Sequence, residues 1–237
     1  MIAITSIAPS HANGIIQNIA VDSWLKLGLE VYSMNSQSEC ELLQPHYPKV
    51  TFIPTTRTME ANYKKPYIGM NAIIDWAKEN AECVFIINSD IELLDTDNRL
   101  PSLFLNAEKG LILLNRSDYD GEVSNAKHYD LGFDGFILHK NFYQTVPQTI
   151  LCLGQCHWDY QLPFTFLANR LPIYRIRKNI LFHKAHQTQY NHDEWVATGR
   201  HFRLVNKLER NYQEDPRSIG RMSMTTHRRI INYAQWI

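Results

Sequence analysis

The stretch Cys83-Val84-Phe85-Ile86-Ile87-Asn88-Ser89-Asp90-Ile91 decides the class of fold. Residues 83–87 form an uncharged run, too short for an ordinary helix and rich in β-branched and aromatic side chains. That pattern predicts a strand covered on both faces, as in a parallel sheet. Polar residues follow at once, at the carboxyl end of the strand, where open α/β sheets place their ligands. Working back toward the amino terminus, residues 2–8 read as a strand. Residues 15–27 carry apolar side chains at helical spacing (Ile15, Ile16, Ile19, Ala20, Trp24, Leu27), closed by Gly28. Residues 30–34 and 50–53 read as further strands, and 67–78 as a helix. The first ninety residues therefore read βαββαβ, which predicts one half of a doubly wound α/β sheet.

Downstream, residues 110–114 and 135–139 read as strands, 160–167 as a helix, and 173–176 and 180–183 as short strands. The expected division is one α/β domain over 1–195 with a helical extension, 196–237, packed on it. That extension holds eight Lys/Arg against three Asp/Glu. It reads either as a solvated helical face or as a surface for an anionic partner, with peripheral membrane contact among the options.

Composition narrows the functional classes. Of 237 residues, 44% are hydrophobic and 20% charged, the profile of a globular protein. Lys+Arg and Asp+Glu are both 24, which argues against a nucleic-acid binder. Cys40, Cys83, Cys152 and Cys156 form no CxxC pair and read as reduced thiols. The first residues lack the basic start of a secretory signal, and no apolar run approaches the ~20 residues of a membrane span. A cytoplasmic protein is the expectation. Glycine-rich dinucleotide and P-loop motifs and a GxSxG elbow are missing, which disfavours nicotinamide dehydrogenases, P-loop NTPases and α/β-hydrolases.

Four constellations can carry chemistry. In Asn88-Ser89-Asp90 the carboxylate can bind a divalent cation bridging two phosphates and Asn88 can bond a ribose; the plain alternative is a strand end with a capping aspartate. In Trp158-Asp159-Tyr160 the acid can be an N-cap or a general base on an aromatic platform, with core packing the alternative for Trp158. His183-Lys184-Ala185-His186 puts two imidazoles within reach of one metal ion, or of nothing but solvent. Gly132-Phe133-Asp134-Gly135-Phe136 lets a ligand approach the backbone, or is an ordinary turn.

Taken in order, these pieces resemble a family of GT-A-fold glycosyltransferases, of the nucleotide-diphospho-sugar transferase superfamily. Gln17-xx-Ala20-xx-Ser23-Trp24 resembles the helix after its first strand. Asn88-Ser89-Asp90-Ile91 resembles its version of the DxD motif. Asp134-Gly135-Phe136, Gly154-xxx-Trp158-Asp159 and His183-xx-His186 resemble its later segments. The resemblance implies a mixed Rossmann-like sheet flanked by helices, and a hexosyltransferase of polysaccharide biosynthesis. It implies a nucleotide-diphosphate-sugar donor and a glycan or glycoconjugate acceptor. Mn²⁺ or Mg²⁺ would be held by Asp90 with His183 or His186, and Asp159 would be the base of an inverting displacement. Thr5, Ser6, Asn35, Arg57, Lys65, Asn88, Ser89 and Asp90 would meet the donor nucleotide. Asp134, Gly135 and Trp158 would meet acceptor or sugar. Asn35 or Glu39 would stand in for the acidic residue often used on the nucleoside. The competing readings are a sugar nucleotidyltransferase, and a nucleotide- or carbohydrate-binding module without turnover.

Overall fold

A computed structural model describes residues 1–9, 14–129, 131–186, 191–208 and 216–237. Among these the chain runs β1 (Ile2–Thr5), α1 (Gly14–Lys26), β2 (Glu30–Asn35), α2 (Gln37–Leu43), β3 (Thr51–Pro54), α3 (Glu60–Tyr63), α4 (Met70–Asn80), β4 (Cys83–Ile87), β5 (Ile91–Leu93) and α5 (Leu100–Asn106). It continues through β6 (Leu111–Leu114), β7 (Arg116–Tyr119), β8 (Lys127–His128), β9 (Gly135–His139), α6 (Trp158–Ala168), β10 (Ile173–Arg175), β11 (Leu181–Lys184), α7 (His192–Val205), α8 (Pro216–Tyr233) and β12 (Gln235–Trp236).

The main sheet has the order β12-β10-β6-β9-β4-β1-β2-β3. Its pairings are parallel except around β9, which runs antiparallel to both β4 and β6. β4 lies inside this sheet, and its residues alternate between two cores. Val84 and Ile86 pack with Trp158, Phe166, Phe202 and Met222 on one side. Phe85 and Ile87 pack with Trp24, Leu103 and Leu181 on the other. Period-two alternation over a strand buried on both faces requires apolar residues at every position, which is why β4 carries no polar side chain among Val84, Phe85, Ile86 and Ile87.

The α1 motif has a mechanical job. Trp24 is fully buried and its Nε1 donates to the Ile91 carbonyl at 2.8 Å. Ser23 Oγ accepts from the Leu93 amide at 2.8 Å and donates to the Ala20 carbonyl at 2.6 Å. The Gln17 amide pairs with both backbone groups of Ala8, each at 3.0 Å. The helix thus holds β5, and with it Asp90 one residue earlier. α2 was not expected, yet its signal is in the sequence: Ser36-Gln37-Ser38-Glu39 forms a capping box, with Ser36 Oγ on the Glu39 amide and Glu39 on the Ser36 amide.

The described residues after 195 belong to the same packing. Phe202 of α7 and Ile219, Met222 and Ile230 of α8 enter the core beneath α6, and β12 adds a parallel edge strand to β10. At this junction His157 is buried, with Nδ1 3.0 Å from Thr198 Oγ1 of α7 and Nε2 3.0 Å from Ser223 Oγ of α8. Burial pushes its pKa down to about 4. The unfolded chain therefore takes up this proton near pH 6.5, before the folded chain does. Stability is expected to fall as pH drops from about 6.5 toward 4, by up to about 3 kcal/mol from this group. Urea unfolding at stepped pH checks it: His157→Gln should flatten that part of the curve, and an unchanged slope would remove His157 as its source.

Candidate active site

The site is built around the second, smaller sheet, β5-β11-β7-β8. Its register aligns Ile91 of β5, His183 of β11 and Asp118 of β7 as neighbours. Asp90, immediately before β5, therefore meets the imidazole of His183, and His186 closes from the residues after β11. His183 Nε2 lies 3.5 Å and His186 Nε2 3.4 Å from Asp90 Oδ2, and the two Nε2 atoms are 3.1 Å apart. Burial works against the charge on Asp90, but the two imidazoles outweigh it and hold its carboxyl well below the usual range. Burial likewise works against a charged His183, yet Asp118 and Asp90 raise its pKa well above the usual histidine value.

These three groups fit a cation. One carboxylate oxygen and two imidazole nitrogens converge, and among the described residues they form the cluster of three or more donors within 4.8 Å. Metal–ligand bonds of ~2.1 Å give donor–donor edges of about 3.0–3.5 Å in octahedral or tetrahedral arrangements. The observed 3.1, 3.4 and 3.5 Å fall there. His183 also has the outer partner that metal-binding imidazoles usually have: its Nδ1 lies 3.1 Å from Asp118 Oδ1.

A chain of polar contacts leads from this cluster to a second pair of acids. Arg116 Nε donates to Asp118 Oδ1 at 2.7 Å and its Nη1 to Asp134 Oδ1 at 2.8 Å. Asn88 Nδ2 donates to the same Asp134 oxygen at 3.0 Å. Gly154, at φ +80°, passes close to Asn88: a Cβ there would lie 4.0 Å from Asn88 Oδ1. Asp159, at the first turn of α6, accepts from the Phe133 amide at 3.2 Å. A Cβ on Gly132 would stand 2.9 Å from Asp159 Oδ2, so the absent side chain admits the carboxylate. Burial, and next the neighbouring Asp134, push Asp159 up to about 7. Asp134 is itself raised by burial, against the pull of Arg116.

The structure thus joins Asn88, Asp90, Asp134, Asp159, His183 and His186, and places Gly135 beneath them. Gly135 begins β9, and a Cβ there would lie 2.8 Å from the Phe85 ring and 2.9 Å from a Leu181 methyl. Gly135→Ala is expected to cost about 1–3 kcal/mol by overpacking. Chemical denaturation reads this directly, and wild-type stability would show that the strand yields.

The other expected donor residues make the following contacts. Asn35 is fully buried, donating to the Ile7 carbonyl at 2.9 Å and to Glu39 at 3.3 Å, and accepting from Ser33 at 2.7 Å. Both Asn35 and Glu39 are committed to internal contacts. Arg57 pairs with Asp75 of α4 at 2.9 Å. Lys65 lies 3.2 Å from the Tyr67 hydroxyl and 3.7 Å from Glu194 of α7. Trp158 is 3% exposed and meets Phe136 edge-on, packed as a core residue. Thr5 is fully buried at the end of β1, Ser6 is half-buried beyond it, and Ser89 Oγ lies 3.4 Å from the Gln17 amide. Arg116 and Asp118 were not anticipated. Their strand, Arg-Ser-Asp-Tyr, is four residues long and carries no apolar signature.

No family profile and no curated protein matches this sequence. Solved structures do. TarS of S. aureus, residues 1–349 in complex with UDP-GlcNAc, superposes with a TM-score of 0.55 at 11% identity, covering 98% of this chain and 72% of that one. A longer TarS structure superposes with a TM-score of 0.55 at 12% identity, covering 95% and 43%. At such identity the likeness is one of fold. With the mixed sheet and flanking helices above, it gives this chain a GT-A-type fold. Among the described residues no helix is long and apolar enough to cross a membrane.

Proposed function

We propose that this protein is a glycosyltransferase that moves a sugar from a nucleotide-diphosphate sugar to an acceptor hydroxyl, with a glycan or glycoconjugate as acceptor. The observation that carries the reading is the convergence of Asp90, His183 and His186 beyond β4, tied through Asp118, Arg116 and Asp134 to the neighbourhood of Asp159. Asp90, His183 and His186 would hold a divalent cation, which supplies Lewis-acid neutralisation of the departing diphosphate. Two imidazole nitrogens among three donors favour Mn²⁺ over Mg²⁺, which prefers oxygen and retains its waters. Asp159 takes the proton of the acceptor hydroxyl as that oxygen attacks the anomeric carbon from the face opposite the diphosphate, with inversion. A carboxylate with a pKa near 7 is matched to this task, because about half of it is ionised at neutral pH and it is basic enough to hold the proton. Asn88, half-buried, and Asp134, buried, are bonded to one another, and Asn88 Oδ1 and Asp134 Oδ2 make no hydrogen bond among the described residues, which supports a role in accepting from sugar hydroxyls.

The test is a thermal-shift screen against UDP-, GDP-, dTDP- and CMP-sugars with and without Mn²⁺, beginning with UDP-GlcNAc, the ligand of the S. aureus TarS complex. A Mn²⁺-dependent rise for one nucleotide class, followed by release of nucleoside diphosphate on adding acceptor, is the expected result. Release of pyrophosphate from a sugar phosphate and a nucleoside triphosphate would make it a nucleotidyltransferase instead. Binding without turnover would make it a binding module.

A further inference from the structure

We propose that Asp118 is a positioning residue of the Asp90–His183–His186 centre, and that Arg116 fixes Asp118 for this task and couples it to Asp134. The inference rests on the reading of that centre as a cation site.

The geometry follows from strand register. β7 and β11 run parallel with Asp118 opposite His183, so the two side chains project from the same face of the small sheet. Asp118 Oδ1 lies 3.1 Å from His183 Nδ1. A carboxylate oxygen there can only accept, which places an N–H on Nδ1. In the neutral ring the lone pair then falls on Nε2, the nitrogen that faces Asp90 Oδ2 and His186 Nε2. The contact thus selects both the ring orientation and the tautomer able to bind a cation, and it makes the ring a stronger donor.

Asp118 is itself fixed. Its Oδ1 also accepts from Arg116 Nε at 2.7 Å, while Arg116 Nη1 reaches Asp134 at 2.8 Å and the guanidinium lies 4.2 Å from the centre of the Tyr129 ring. A planar fork bonded to two carboxylates and stacked on a ring has little freedom, which a lysine at this position could not reproduce. The consequence is a link from the cation centre to the acid pair: displacement of Asp134 is transmitted through one guanidinium to the carboxylate that orients His183.

The plain alternative is a partly exposed ion pair that merely decorates the small sheet. The Asp118 side chain is 34% exposed, and such pairs contribute little to stability. The two readings separate on cation affinity. Mn²⁺ binding by calorimetry, and the Mn²⁺ electron paramagnetic resonance spectrum, are to be measured for wild type, Asp118→Asn, Asp118→Ala and Arg116→Lys, with melting temperatures taken in EDTA. The expected result is affinity weakened roughly 10–100-fold in Asp118→Ala, with a smaller loss in Asp118→Asn, whose amide oxygen still accepts from Nδ1–H. Arg116→Lys should fall between wild type and Asp118→Ala. Melting temperatures in EDTA should stay close to wild type in both Asp118 variants. Should Asp118→Ala fail to fold, the asparagine and lysine variants carry the same comparison. Wild-type Mn²⁺ affinity in every folded variant overturns the proposal. A wild-type chain that binds no Mn²⁺ overturns the cation site and this inference with it. A chain that binds Mn²⁺ with the expected ranking but transfers no sugar leaves the positioning role standing and removes the transferase reading.

Discussion

Asp159→Asn is expected to lower kcat by ~10²–10⁴, equivalent to about 3–5 kcal/mol of transition-state stabilisation. The substitution is nearly isosteric. The amide oxygen can still accept from the Phe133 N–H, so the start of α6 and the turn at Gly132 keep their geometry. What is lost is the capacity to take a proton. Donor binding and the melting temperature should therefore stay near wild type while turnover falls. A pH profile gives a second readout. Burial and Asp134 hold Asp159 near 7, so below that pH the group is protonated and has no basicity to offer. Wild-type kcat/KM should rise with pH and level off above about 7, and the asparagine variant should lack that limb. Loss of donor binding with normal folding, or an unaltered pH limb, would move the base elsewhere.

Asp90→Ala should weaken Mn²⁺ binding by at least ~10²-fold, beyond what loss of an outer partner costs, and abolish Mn²⁺-dependent donor binding. Asp90 is the anionic member of the three converging donors, the other two being imidazoles. Without it His183 and His186 remain, but the charge that offsets a divalent cation is gone. Calorimetric titration with Mn²⁺, followed by the donor thermal shift, reads both effects. A variant that kept the wild-type Mn²⁺-dependent shift would show that the cation, if used, sits somewhere else. Because Asp118 and Asp90 together keep His183 protonated, a cation here must displace a proton, so affinity should increase with pH.

Much of this architecture was legible locally. β4 announces itself because a strand buried on both faces cannot carry a charge, and the acids after it lie where the sheet opens. Helix α1 is legible because its buried positions repeat at helical spacing. The capping box of α2 was equally present, but only seven residues separate its ends and no long apolar period drew attention to it. β5 and β7 were beyond such reading. Three or four residues with mixed polarity have no periodicity to detect, and they are strands because β11 supplies their hydrogen bonds.

The site divides along the same line. By itself the sequence singled out side chains able to carry chemistry: an acid after the central strand, a pair of histidines three apart, and an acid at a helix start. It also determined the layered α/β fold, because strand and helix periods are written residue by residue. Only the tertiary structure decided which of these groups meet. Asp90 and His186 are 96 positions apart and become neighbours through the register of a small sheet that no local pattern encodes. It likewise decided that Trp158 faces the core, that Asn35 ties the end of β2 to Ile7, and that Arg116 and Asp118 join the Asp90–His183–His186 cluster to Asp134. Periodicity reports how a segment meets water, whereas the meeting of distant segments depends on packing and hydrogen bonding across the whole fold.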